Sequence, residues 1–163
     1  MTDKTNLLDY DRKSLEAYFD EIGDKSFRAQ QVIKWIFHHG IVDYPSMTNL
    51  SKNLRCKLEE NTVIKLPEIV AEQKSEDGTR KWLIQLDNNN SVETVFIPEN
   101  DRGTLCISSQ VGCPLDCKFC STAQQGFNRN LTTSEIIGQV WIANKALGCF
   151  ENGKRMITNI VFM

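Results

Sequence analysis

The chain has 163 residues, of which 40% are hydrophobic and 25% are charged, and its formal net charge is −2 at pH 7. This length allows one or two domains with a core of moderate size. The nearly balanced charge excludes a globally basic nucleic-acid-binding protein, so any such surface would have to be a local basic patch. The polar N-terminus lacks a stretch of signal-peptide length, and no apolar run reaches membrane-spanning length. We therefore expect a cytoplasmic protein without membrane contact.

Apolar residues at helical spacing predict a small helical domain over residues 1–65. A first helix is predicted over 13–23, and a second over 27–39 with Ser26 as its N-cap. A third is predicted from Ser46 to about residue 60. The polar faces of these helices carry six basic residues, here called the N-terminal basic group: Lys25, Arg28, Lys34, Lys52, Arg55 and Lys57. Taken singly, each of them is most simply a solvated surface residue.

After Pro67 the pattern changes to a period of two, which predicts successive β-strands. Asp77-Gly78 is a hairpin turn signal between the first two strands. On the second strand Trp82, Ile84 and Leu86 share one face. The predicted strands are EIVAEQKS, TRKWLIQL, SVETVFIP and TLCISSQ.

Glu93 lies on the third of these strands, both faces of which are largely apolar. We therefore expect a partly buried carboxylate, because little of such a strand would face water. Burial would raise the pKa of this carboxyl and allow proton exchange near neutrality. A structural glutamate in a salt bridge explains the same residue, and the sequence leaves both possibilities open.

The chain continues through a cysteine-rich segment in which Cys113, Cys117 and Cys120 have the spacing C-x3-C-x2-C. Disulfides are one explanation, but nothing here indicates secretion, and cytosolic thiols stay reduced. A zinc site with Cys106 as fourth ligand is a second, although such sites usually combine two separated pairs of ligands. An iron–sulfur cluster with three protein ligands is a third, and the spacing favours it because soft thiolates converge on one short loop.

A helix is predicted over 133–147, where Thr132 and Glu135 fit a capping box and Gly148 follows the last turn. The strand MITNIVFM comes next, so that strand, loop, helix and strand form one βα unit of a parallel barrel. The predicted buried side of the helix consists of Ile136, Ile137, Val140, Trp141 and Leu147.

The segment CISSQVGCPLDCKFCSTAQQGFNRNLTTSEIIGQV resembles the radical S-adenosylmethionine enzymes, whose signature is C-x3-C-x2-C after a strand. Over this length it is similar to the bacterial dual-specificity RNA methyltransferases, which methylate carbon-2 of adenine in 23S ribosomal RNA and transfer RNA. A sister group that methylates carbon-8 of the same ribosomal adenine resembles the chain less closely and is one alternative. A zinc-holding, RNA-binding module without catalysis is another.

The resemblance implies that Cys113, Cys117 and Cys120 bind a 4Fe–4S cluster, which chelates S-adenosylmethionine and, once reduced by an electron donor, generates a radical from it. It implies that Glu93 accepts a proton from the adenine. It also implies that Cys106 is a resolving cysteine, which forms a transient disulfide with a C-terminal cysteine absent from these residues. In this family the helical N-terminal domain helps to hold RNA, so the N-terminal basic group would contact phosphates.

The expected fold class is α+β. It comprises a helical accessory domain over 1–65, a short antiparallel β segment over 66–103, and the first part of a partial (β/α)6 TIM-like barrel over 104–163. Since the later barrel strands of the family are not in this sequence, we expect the chain alone to be inactive. We expect a monomer.

Overall fold

The computed structural model describes residues 4–86, 89–100, 102–115 and 117–163. They fall into two units, Met1–Lys65 and Leu66–Met163. The first unit is helical, with a short parallel pair of strands that joins its two ends. Its elements are β1 (Thr5–Asn6), a 3-10 turn (Leu7–Asp9), α1 (Arg12–Glu21), α2 (Arg28–Phe37), a second 3-10 turn (Tyr44–Ser46), α3 (Lys52–Asn61) and β2 (Thr62–Val63).

The start of α3 differs from the prediction because Ser46 does not cap it. Ser46 belongs to the 3-10 turn at Tyr44–Ser46, whose N-cap is Asp43. Helix α3 begins only at Lys52, where the hydroxyl of Ser51 accepts a hydrogen bond from the Leu54 N–H at 3.2 Å. The sequence offers two serines before this helix, and the one nearer to the helical stretch satisfies the free N–H groups of its first turn.

The predicted cap of α2 is also wrong. Phe27 occupies the N-cap position and makes no side-chain cap hydrogen bond. The Ser26 backbone carbonyl, rather than its hydroxyl, accepts from the Ala29 N–H at 3.0 Å. Helix α1 instead has a side-chain cap, because the Asp11 carboxylate accepts from the Ser14 N–H at 2.7 Å.

The core of the first unit contains the apolar faces that the helical spacing predicts. Within it, the Tyr44 hydroxyl lies 2.6 Å from the Thr62 hydroxyl, which itself donates to the Leu58 carbonyl. Burial raises the pKa of Tyr44 to about 12. The buried apolar residues are Leu7, Leu8, Leu15, Phe19, Ala29, Val32, Ile36, Tyr44, Met47, Leu50, Leu54 and Leu58.

The second unit is built on a five-stranded sheet that consists, in this order, of β3 (Glu68–Lys74), β4 (Arg80–Gln85), β5 (Ser91–Glu99), β6 (Arg102–Ile107) and β9 (Asn159–Phe162). The first four strands are antiparallel neighbours, and β9 pairs with β6 in parallel. Strands of 66–103 and of 104–163 thus share this sheet, whereas two further short strands of 104–163 pair separately. The other elements are β7 (Gln110–Gly112), α4 (Ser121–Gln124), β8 (Phe127–Asn130), α5 (Thr133–Ala146) and α6 (Cys149–Asn152).

The β3–β4 turn forms where Asp77-Gly78 predicts it. Gly78 has φ +86°, a conformation that glycine adopts without strain, and its N–H donates to the Ser75 carbonyl. The fourth predicted strand, TLCISSQ, is divided in the structure. Strand β6 ends at Ile107 and β7 begins at Gln110.

Helix α5 crosses over between the parallel strands β6 and β9. The predicted capping box is confirmed: Thr132 and Glu135 bond reciprocally at its N-terminus. At the other end, the Arg80 guanidinium donates to the Ala146 carbonyl at 2.7 Å and complements the negative end of the helix dipole. Both ends of the helix are therefore fixed within the second unit.

The predicted buried side of α5 is confirmed in part. Trp141 is buried, and Ile136, Val140 and Leu147 are partly buried and pack against the core. The most completely buried side of the helix instead includes Gly138 and Gln139. One physical reason is Gly138, where a side-chain β-carbon would lie 2.5 Å from Pro67 Cδ. The absence of a side chain lets the helix approach Pro67 closely on that face. The buried residues are Ser134, Glu135, Gly138, Gln139, Trp141, Ile142 and Ala143.

The two faces of the sheet differ in how they are covered. The core lies on one face, where Trp82, Ile84, Phe96, Leu105 and Ile107 are at most 2% exposed. The alternate residues of the same strands point to the opposite face. There, three large apolar residues are between 37% and 42% exposed: Leu83, Ile97 and Val161. In the described part of the chain, no helix is long and apolar enough to cross a membrane.

Candidate metal and catalytic site

A pair of short strands closes the loop that carries the cysteine motif. Strand β7 pairs antiparallel with β8, so the chain enters and leaves the loop at neighbouring points. The Cys113 N–H donates to the Gly126 carbonyl at 3.2 Å and extends this pairing into the loop. The pair β7–β8, here called the clasp, fixes both ends of the loop.

Gly112 is the tightest position of the clasp. It has φ +72°, and a β-carbon built on it would lie 1.7 Å from the Gly126 carbonyl oxygen. Gly126 has the same φ, +72°, but a β-carbon there would meet nothing within 4 Å. The two glycines therefore share one left-handed backbone conformation and differ in the space available to a side chain.

This pair allows a matched test. Gly126→Ala should lower the free energy of unfolding by about 1–2 kcal/mol, because alanine is strained in the left-handed conformation. Gly112→Ala should cost roughly 1–2 kcal/mol more, because the clasp must also open to relieve the clash. Urea unfolding of both variants measures the difference. Equal losses would show that the close approach at Gly112 does not constrain the loop.

The three motif cysteines lie on the loop as half-buried free thiols. Cys113 directly follows β7, and the Cys120 N–H donates to the Cys117 carbonyl at 2.9 Å, which forms a turn between the second and third thiol. The Cys117 thiol donates weakly to the Leu115 carbonyl at 3.8 Å. Among the described residues these side chains are not already arranged as a metal-binding group. Three free thiols on one loop are still the donor set that an iron–sulfur cluster requires.

Among the three cysteines, Cys120 has the environment that most favours the thiolate form. It precedes the short helix α4, and the backbone N–H groups of Ala123 and Thr122 point at its sulfur and lower the pKa of the Cys120 thiol. The Thr122 side chain lowers it further. Because the thiolate is the form that binds metals, this environment favours metal ligation at Cys120.

The lowered pKa can be checked by alkylation. In metal-free protein, the rate of Cys120 modification by iodoacetamide should rise with pH around a midpoint below that of a cysteine in a short unstructured peptide. Thr122→Val removes the hydroxyl contribution and should move the midpoint upward. A midpoint equal to that of the peptide would contradict the role of the N–H groups. Peptide mass spectrometry resolves the Cys120 signal from the other thiols.

Cys106 lies on β6, separate from the loop. It is half-buried, whereas its strand neighbours Leu105 and Ile107 are buried in the core. Its cross-strand partners are Val95 on β5 and Val161 on β9. Cys106 is therefore on the open face of the sheet, the face on which Leu83, Ile97 and Val161 are exposed.

The expectation of a partly buried Glu93 is wrong. Its side chain is 56% exposed, and its Oε1 lies 3.0 Å from the Lys81 ammonium. The period of two correctly separates the faces of β5, since Val92 and Thr94 are buried. Helix α5 covers only their face, and Glu93 is on the open one.

Two buried or half-buried polar groups near the loop were missed by the sequence analysis. Arg129 on β8 makes a bidentate ion pair with Glu135, in which both N–O distances are 2.7 Å. Gln139 is completely buried in α5 and bonds to Ser108 and Thr94. In the sequence, the buried position of Gln139 is indicated only by the presence of a glutamine among the apolar residues of α5.

The N-terminal basic group is partly used within the first unit. Arg28, Arg55 and Lys57 each donate a hydrogen bond to a backbone carbonyl of that unit. Lys25 and Lys34 are exposed. A phosphate would therefore have to compete with carbonyl oxygens for half of the group.

Comparison with known proteins agrees with this arrangement. Residues 5–64 match the family model of the ribosomal RNA large subunit methyltransferase N-terminal domain. The chain is 55% identical over 161 residues to the dual-specificity RNA methyltransferase RlmN of Marinobacter nauticus, a match that covers 99% of this chain and 44% of that protein.

A solved structure gives the same result. The crystal structure of a radical SAM methyltransferase from Sphaerobacter thermophilus matches 97% of this chain and 47% of its own, with a TM-score of 0.83 and 34% identity. The chain thus spans about half the length of these relatives. The chain is thus similar, over nearly all of its length, to a portion of a dual-specificity RNA methyltransferase and of a radical SAM methyltransferase, in agreement with the resemblance seen in the sequence.

Proposed function

We propose that the protein methylates carbon-2 of adenine in 23S ribosomal RNA and in transfer RNA by radical S-adenosylmethionine chemistry. The observation that carries this proposal is the 55% identity, over 99% of the chain, to a protein named dual-specificity RNA methyltransferase. The free thiols Cys113, Cys117 and Cys120, together on one loop, support it.

These three thiols would hold a 4Fe–4S cluster. With S-adenosylmethionine bound, the cluster would supply the radical that activates the transferred methyl group. The residues of the chain would supply ligation and placement: Cys120 enters as a stabilised thiolate, and the clasp keeps the loop at the end of β6. The unit β6–α5–β9 would then be the first repeat of a partial (β/α)6 barrel, and its site would lie at the C-terminal end of the first strand.

Glu93 and Cys106 would act on the reacting base. Both lie on the open face of the sheet, on the neighbouring strands β5 and β6. Exposed beside Lys81, Glu93 can accept a proton from the adenine. The Cys106 thiol would form a transient disulfide with a second cysteine of the whole protein, and the S–C bond that breaks would release the methylated base.

The partners follow from the proposed reaction. Ribosomal and transfer RNA would be the substrates, with exposed lysines such as Lys25 and Lys34 contacting phosphates. An electron donor would reduce the cluster. Methylation of these RNAs would take place in the cytoplasm, and the protein would act as a monomer.

One experiment separates this function from its alternatives. The whole protein, purified without oxygen, is assayed for iron, sulfide and zinc, and is then incubated with S-adenosylmethionine, a reductant and unmodified 23S RNA fragments. Nucleoside mass spectrometry should detect 2-methyladenosine. The product 8-methyladenosine would instead assign the sister activity. A colourless protein that holds zinc and makes no methylated base would assign the non-catalytic RNA-binding module.

A further inference from the structure

The middle of α5 contains a polar side chain that its packing does not require. Gln139 is 0% exposed, and the apolar core lies on the same face of the helix. Its side-chain amide makes four hydrogen bonds, and one of them, to the Glu135 carbonyl, stays within the helix. A leucine of similar size would fill the same volume, so the function of the amide lies in its other three bonds.

Two of these bonds hold the backbone of one residue. The Gln139 Oε1 accepts from the Ser108 N–H at 2.8 Å, and its Nε2 donates to the Ser108 carbonyl at 2.9 Å. Strand β6 ends at Ile107, so Ser108 lies just beyond the strand. Ser108 is only 9% exposed, and its backbone groups would be costly to bury unpaired. The amide of Gln139 therefore replaces a strand partner at this point.

The same network reaches the neighbouring strand. The Thr94 hydroxyl donates to Gln139 Oε1 at 2.8 Å, and the Ser108 hydroxyl donates to the Glu93 carbonyl at 2.8 Å. Gln139 and Ser108 together tie β5, at Thr94 and Glu93, to the end of β6. Helix α5 is thus hydrogen-bonded to both strands at one level of the sheet.

The proposed reaction depends on accurate placement of the residues in this part of the sheet, where the end of β6 lies beside β5. Ser108 follows Cys106 by two residues and precedes the clasp, and its hydroxyl donates to the Glu93 carbonyl. Thr94, the residue beside Glu93, is held by Gln139 itself. We propose that Gln139 is a positioning residue, which fixes the end of β6 relative to β5 and so sets the placement of Glu93, Cys106 and the start of the cysteine loop. The consequence for catalysis rests on the function proposed above, whereas the placement itself does not.

Two substitutions separate positioning from packing. Gln139→Leu keeps the volume and leaves the Ser108 N–H, the Ser108 carbonyl and the Thr94 hydroxyl without this partner. Gln139→Glu keeps the shape and one acceptor, but an ionised carboxylate would face the Ser108 and Glu135 carbonyls. Only the protonated acid can donate there, so burial beside carbonyls raises the pKa of the introduced carboxyl. The stabilisation that the protonated carboxyl provides is therefore fully present below the ordinary glutamate pKa. It is lost as the pH rises through the raised pKa of the folded protein.

The first readout requires no cluster. Hydrogen–deuterium exchange of the peptide that spans 106–113 should be about tenfold faster in Gln139→Leu, the effect of losing roughly 1.4 kcal/mol of local protection. Gln139→Glu should show the same acceleration relative to wild type at pH 8 and much less at pH 5. Asn144→Leu is the matched control, because Asn144 is a half-buried amide of the same helix whose side chain, among the described residues, bonds within the helix to the Val140 carbonyl. It should leave exchange over 106–113 unchanged.

The second readout uses the whole protein. At equal iron and sulfide content, Gln139→Leu should lower kcat with an unchanged KM for RNA, since the substrate-contacting surface is intact. Unchanged exchange over 106–113 in Gln139→Leu would overturn the proposal, as would an equal acceleration in Asn144→Leu. Faster exchange with normal kcat would overturn its catalytic part. A wild-type protein that makes no methylated RNA would refute the proposed function alone, because the exchange results would still decide the placement.

Discussion

Cys117→Ala should abolish both cluster binding and methyltransferase activity in the whole protein, and the same holds for Cys113→Ala and Cys120→Ala. Each replacement removes one of three thiolates from a loop on which the described residues offer no other cysteine. The iron content should fall from about four atoms per chain to almost none, and the absorbance that makes the protein brown should be lost. Iron and sulfide analysis of anaerobically purified protein measures the effect.

Cys56 and Cys149 provide the matched controls. Cys56 is exposed in the first unit, and Cys149 begins α6 after the crossover helix. Alanine at either position should leave iron content and activity at the wild-type level. Retained cluster absorbance in any of the three loop variants would refute the ligand assignment, and loss of iron in Cys56→Ala would indicate general unfolding instead.

Glu93→Gln should lower product formation by about 10²- to 10⁴-fold, the usual contribution of a positioned proton acceptor. Cluster content and the reductive cleavage of S-adenosylmethionine should remain, because Glu93 is not among the proposed ligands. The effect on stability should be small. Glu93 is 56% exposed and its pairing with Lys81 is a surface ion pair, a class that contributes about 0–1 kcal/mol.

Lys81→Gln separates the proton acceptor from the salt bridge. It breaks the same ion pair and leaves the carboxylate in place, so it should retain activity within a few fold of wild type. Single-turnover assays and thermal melting of both variants decide the matter. If the two variants lose activity equally, or if the loss follows the fraction of folded protein, Glu93 serves only as a structural partner of Lys81.

Local signals in the sequence predicted most of the fold. The Asp77-Gly78 turn, the Thr132–Glu135 capping box and the alternation around Trp82 depend on residues a few positions apart, and all three are present in the structure. The cap of α3 was misplaced because two serines precede this helix, and only the structure shows that Ser51 is used. The cap of α2 was misplaced by one residue, since Phe27 occupies the N-cap position without a side-chain hydrogen bond.

The errors at the candidate site have a different cause. The alternation of β5 shows which residues share a face with Glu93 but not whether another element covers that face. Apolar residues are spread around α5 instead of forming one stripe, so its periodicity did not show that Gln139 is buried, and Gln139 was overlooked. The partner of Gln139, Ser108, lies 31 residues away, and a contact of that range cannot be read from local pattern. The roles of the cysteines came from resemblance rather than from spacing.

The order of strands in the sheet also bears on how the second unit folds. Strands β3, β4, β5 and β6 are joined in chain order as antiparallel neighbours, so each can pair with the strand made just before it. The parallel pair β6–β9 must wait for the whole crossover, and closing a long loop is entropically costly and slow. On the ribosome, where the N-terminal side emerges first, the antiparallel strands that hold Glu93 and Cys106 should therefore assemble before β9 pairs with β6.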